Sequence, residues 1–65
     1  MKLRIKQERV MNGWSNEYVA KQVGITSEAI RLIENNKRKP SYKVLVKLEQ
    51  LFNLSHQELF REVDG

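Results

Sequence analysis

Apolar residues recur along this chain at intervals of three and four, the spacing of one helical face, and nowhere alternate long enough to mark a strand. Leu3, Ile5, Val10 and Met11 predict a first helix over residues 3–12, stopped by Gly13. Ser15 or Asn16 caps a second, short helix that carries Val19, Ala20 and Val23 on one side and ends at Gly24. Thr26 caps a third running to about Asn35, with Ala29, Ile30 and Ile33 as its inward stripe. Asn35 and Asn36, both tolerant of left-handed backbone, terminate it. Ser41, just past the single proline Pro40, opens a fourth helix with Leu45, Leu48, Leu51 and Phe52 at helical spacing. Ser55 with Glu58 three residues later forms a capping box for a fifth, expected to bury Leu59 and Val63. The expectation is an all-α domain of five helices.

Gly24 interrupts the most helical run, AKQVGITSEAIRLIE, because a tight corner between two short helices forces one residue to positive φ. Two such helices joined by a three- to four-residue turn make a helix-turn-helix unit, here spanning about residues 16–35. The small Ala20 lets the axes approach, and Ile25, Ile30 and Ile33 fill the angle between them. In such a unit the second helix is the one that enters the DNA major groove.

Composition narrows the choice of function. At 65 residues the chain, 1–65, reads as one small domain with little room for an enclosed catalytic cleft. It has no cysteine, so neither disulfides nor a thiolate metal site support it, and a reducing, cytoplasmic setting is expected. No apolar run approaches the ~20 residues of a membrane span, and the charged start MKLRIKQERV is unlike a signal peptide. One histidine, no glycine-rich phosphate loop and no carboxylate pair in a plausible cleft argue against an enzyme, and no metal, cofactor or small-molecule ligand is expected. Charge is uneven: residues 1–47 hold eleven Lys and Arg against four Glu, +7, whereas 48–65 hold Arg61 against Glu49, Glu58, Glu62 and Asp64, −3. A basic first part laid on a polyanion, with an acidic end turned away, suits that asymmetry; a merely solvated surface is the plain alternative.

The segments IKQERVMNGWSNEYVAKQVGIT, SEAIRLIENNKRKPS and VLVKLEQLFNLSHQEL together resemble the phage Cro and repressor type of helix-turn-helix transcriptional regulators over residues 3–60. Arg9, Gly13, Trp14, Ser15, Ala20, Gly24, Ile30, Ile33, Glu34, Pro40 and Ser41 carry the match. Glu8, where relatives often have an apolar residue, and Asn36, where many have glycine, depart from it. The resemblance implies a compact five-helix, lambda-repressor-like domain that binds operator DNA in a bacterial cell or phage-infected host, usually as a two-fold homodimer. It also implies that Arg9 and Glu34 form a structural salt bridge between the first and third helices.

Individual roles follow from the third helix, whose inward stripe leaves residues 27, 28, 31, 32 and 35 facing out. Ser27, Glu28, Arg31 and Leu32 are the candidate base contacts: a hydroxyl, an acceptor for a cytosine amino group, a fork for guanine and an apolar surface for a thymine methyl. The bland reading pairs Glu28 with Arg31 at i, i+3 and leaves Leu32 as ordinary surface. Asn16, Thr26, Asn35, Asn36, Lys37, Arg38 and Lys39 are the candidate phosphate contacts, extended by Lys43; Asn16 and Thr26 are equally explained as caps. Trp14 reads as core. Phe52, Leu54, His56 and Phe60, with Val63, are the candidate dimer interface, or alternatively part of the core. The rival function is a protein-interaction module of the same fold, of antitoxin or anti-repressor type.

Overall fold

A computed structural model describes residues 2–63. Five helices are framed by a two-stranded antiparallel ribbon: β1 Lys2–Leu3, α1 Arg4–Met11, α2 Asn16–Val23, α3 Ser27–Glu34, α4 Tyr42–Phe52, α5 His56–Leu59 and β2 Glu62–Val63. Four helices start the same way. The hydroxyls of Ser15, Thr26, Ser41 and Ser55 each accept a hydrogen bond from the backbone N–H three residues on, at 3.0, 3.1, 3.3 and 3.4 Å. Each cap satisfies one donor that the helix itself leaves unpaired. α1 has no side-chain cap; its entry is held instead by the ribbon and by the Arg4 N–H, which donates to the Arg61 carbonyl at 2.8 Å.

Four helices also end alike. Gly13, Gly24, Asn36 and Asn53 have φ of 72°, 78°, 58° and 57°. The following N–H then reaches back five residues, Trp14 to Arg9, Ile25 to Ala20, Lys37 to Leu32 and Leu54 to Glu49. This is the left-handed closure that satisfies terminal carbonyls. After three of these corners the next side chain is apolar, and Trp14, Ile25 and Leu54 all fold back onto the core. After the third helix it is Lys37, which is exposed.

The core is formed around Ile5, Val19, Val23, Ile30, Leu48 and Leu59, all at 2% exposure or less. α2 packs chiefly on α3 and α4, and α1 on α5. No helix of the described residues is long and apolar enough to cross a membrane.

Three expectations change. The ribbon pairs Lys2 with Val63 and Leu3 with Glu62, so Val63 lies half-buried in a strand and not on the fifth helix, which ends after one turn at Phe60. Val10 and Met11 are 59% and 72% exposed. The face that α1 turns inward carries Ile5 and, one turn on, Arg9, which puts Val10 and Met11 on the far side. Phe52, a candidate for the dimer surface, is buried, with its ring centroid 5.4 Å from that of Trp14. It has little surface left to offer a second chain.

Candidate nucleic-acid interface

The corner at Gly24 positions the outward face of α3. Ala29, Ile30, Ile33 and Glu34 are buried, while Ser27, Glu28 and Arg31 are exposed, and Leu32 and Asn35 are half-buried. Leu32 therefore presents only part of its side chain outward. Glu28 and Arg31 are paired: Arg31 Nε donates to Glu28 Oε1 at 3.0 Å and Nη2 to Oε2 at 2.5 Å. Those bonds, with the opposite charge, hold the Glu28 carboxyl below its ordinary range and raise the Arg31 guanidinium further.

The starts of α2 and α3 lie side by side. Ser15, Asn16 and Glu17 on one side and Ser27, Glu28 and Arg31 on the other border an open recess of about 350 Å³, with Arg9 at its edge. Because the caps occupy the third N–H of each helix, the N–H groups of Asn16, Glu17, Ser27 and Glu28 have no acceptor within their own helix. Both positive helix ends thus border one concavity. Asn16 Oδ1 is buried without a hydrogen-bond partner. An oxygen cannot face a phosphate, so any phosphate contact from Asn16 falls to its amide nitrogen and backbone N–H. The Thr26 hydroxyl accepts from Ala29 as a cap and still has its own hydrogen to donate.

Beyond α3 the chain turns outward at Asn36, and Asn36, Lys37, Arg38 and Lys39 are exposed. Among the described residues none of the three cations forms an ion pair. Exposed cations left without carboxylate partners make a surface suited to a polyanion.

Behind this surface, Arg9 links α1 to α3. Its Nε donates to Glu34 Oε2 at 2.7 Å and Nη2 to Oε1 at 3.3 Å, while Nη1 donates to the Trp14 carbonyl at 2.8 Å. Both side chains are nearly enclosed, so this pair is framework. Glu8 forms a bond of its own: Arg4 joins Glu8, at 3.2 Å, to Glu58 of α5. At Glu8, where the family resemblance leads to the expectation of an apolar residue, this chain makes an ionic tie.

His56 is exposed but tethered. Its backbone N–H donates to Glu49 Oε2 at 2.6 Å and its ring Nδ1 to the same oxygen at 2.9 Å. His56 and half-buried Phe60 border a groove of about 240 Å³ with Leu3, Leu45 and Pro40, and Arg38 and Lys39 of the basic segment line it too. Leu54 is half-buried against the core. Leu45 and Pro40 were not among the candidates for this surface. The signal for Leu45 was faint, because its apolar spacing is the same as that of its buried neighbours. Ser15 and Glu17 were likewise missed at the recess, although adjacency to Asn16 at a helix start points to them.

Residues 5–59 match the helix-turn-helix family model. An HTH-type transcriptional regulator of Archaeoglobus fulgidus is 35% identical over 60 residues, covering 92% of this chain and 86% of the relative. The N-terminal DNA binding domain of SinR from Bacillus subtilis superposes with a TM-score of 0.73 at 30% identity, over 94% of this chain and 91% of that one. SinR in its complex with the SinI protein superposes at 0.75, also at 30% identity; the match covers 95% of this chain but only 65% of that longer one, under two thirds of its length.

Proposed function

Because this chain belongs to the helix-turn-helix family of DNA-binding transcriptional regulators, we propose that it lays α3 in the major groove of a two-fold operator, as a homodimer, and represses by occupying the site. One observation carries the reading: two capped helix N-termini border one recess with Ser27, Glu28 and Arg31 of the exposed α3 face, and the exposed cations Lys37, Arg38 and Lys39, without ion pairs among the described residues, follow α3 in the chain. Ser27, Glu28 and Arg31, with the outer part of Leu32, face base edges. Asn16 and Thr26 hold phosphates on one side of the groove, and the segment from Asn35 to Lys39 holds them on the other. The second copy docks on the groove of Leu45, His56 and Phe60, which Arg38 and Lys39 also border, so the dimer contact adjoins the basic segment.

A second reading rests on SinR, which is found in a complex with a protein, SinI: the same fold used on a protein partner, with Glu28 on the contact face. Selection of bound duplexes from a random library at near-physiological salt separates the two. Enrichment of an inverted repeat with half-sites ~34–36 Å apart supports the operator-binding dimer. Binding without enrichment, falling steeply with salt, reduces the function to phosphate attraction. Failure of the folded chain to bind any duplex sinks the DNA reading and favours the protein partner.

A further inference from the structure

We propose that Glu28 and Arg31 work as one selectivity device, in which Glu28 orients Arg31 toward a guanine and at the same time penalises registers that put a phosphate, in place of a base edge, against this pair. The inference rests on the DNA-reading role of α3 and goes beyond it by making the bonded pair, and not either side chain alone, the reading unit.

Two parallel N–H···O bonds join the guanidinium to the carboxylate, an arrangement that fixes the plane of both groups. Both side chains are more than half exposed, at 52% and 63%, so the pair stands out on the reading face. Of the five guanidinium N–H donors three remain, including both on Nη1; the carboxylate has lone pairs to spare. The joined pair therefore presents donors and acceptors together. That edge complements guanine O6 and N7 beside a cytosine amino group, and not a phosphate, which offers acceptors alone.

The other cation at the recess, Arg9, is bonded to Glu34 and to the Trp14 carbonyl. Across the recess stands Glu17, a second carboxylate. A face shaped only for affinity would not carry two carboxylates where the helix N-termini attract phosphate. Their simplest structural explanation is that acidic residues stabilise the first turn of a helix. That explanation predicts a change in stability and none in base preference, and the same experiment therefore decides between them.

The experiment compares the parent chain with E28Q and E17Q, each checked for folding by thermal melting. Each is taken through duplex selection and then titrated with its selected duplex and with a random-sequence duplex at several salt concentrations. E28Q is expected to bind the random duplex about three- to tenfold more tightly at ~0.1 M salt. Its salt dependence steepens by up to about one ion, as Arg31 is released to a phosphate. It also loses about tenfold of discrimination at one guanine–cytosine step. E17Q gains random-duplex affinity with its base preference intact. A parent that enriches an operator, with E28Q keeping the same preference and the same random-duplex affinity, overturns this inference and leaves the DNA reading standing. A parent that enriches nothing overturns both.

Discussion

Replacing Arg9 by methionine tests the framework behind the reading face. Arg9 and Glu34 are 12% and 4% exposed at their side chains, so neither charge has bulk water as a substitute partner. R9M removes both bonds to the carboxylate and the bond to the Trp14 carbonyl, leaving a buried anion with no counter-charge. Stranding one member of a buried pair costs about 3–5 kcal/mol. A chain of 65 residues has a total stability of about 3–10 kcal/mol at ~0.05–0.15 kcal/mol per residue. R9M should therefore lose about a third or more of the parent's stability and unfold at a much lower urea concentration. E34Q keeps the shape and leaves the charge on Arg9, the more exposed partner, so its cost is smaller, about 1–3 kcal/mol. The double variant R9M/E34L, with no charge to bury, should be more stable than R9M alone. Urea denaturation followed by far-UV circular dichroism reads all four proteins on one scale. An R9M variant within about 1 kcal/mol of the parent, as for an exposed pair, refutes the reasoning. So does an E34Q variant less stable than R9M.

Two further outcomes follow from local geometry. At Gly24 an added Cβ meets only Lys47 Nζ at 3.8 Å, so G24A is penalised by its φ of +78° and not by crowding; the expected cost is about 1–2 kcal/mol, a fall of roughly 4–16 °C in melting temperature. G24N should lose less, as Asn36 and Asn53 already hold this conformation, and equal losses for the two would refute the backbone argument. Glu49 is held below its ordinary pKa of 4.5 by hydrogen bonds from the His56 ring and then from the His56 backbone N–H. Its stabilising contribution is complete above pH 4.5 and disappears as the pH falls through the lower folded value. E49Q should therefore flatten the acid side of the melting temperature against pH, and parallel acid limbs in the two proteins would count against it.

Much of the fold is local, and local features are legible. A serine or threonine hydroxyl reaches the N–H three residues on without help from the rest of the chain, so the starts at Ser15, Thr26, Ser41 and Ser55 are readable from residue type alone. Gly24 is readable for the same reason, and so is the inward stripe of Ala29, Ile30 and Ile33. Asn53 was not anticipated in its left-handed corner, although Asn36 was, because the helix before it carries no other stop signal. The site is legible as a set of residue types. Its state of pairing is less so: Glu28 with Arg31 was one of two open readings, and the recess that joins them to Ser15 and Glu17 requires two helix ends to meet in space.

The sequence by itself determined where helices start and stop, which face of α3 is apolar, and that cations follow it. These depend on contacts within a few residues, where backbone geometry leaves few choices. Tertiary structure decided how long-range partners share surface. Two-residue strands have no period to read, and Lys2 meets Val63 only because α1 and α5 pack together. Val10, Met11 and Phe52 are all apolar enough for the core; packing buries Phe52 against Trp14, and Arg9 takes the inward turn of α1, where it meets the buried Glu34 carboxylate.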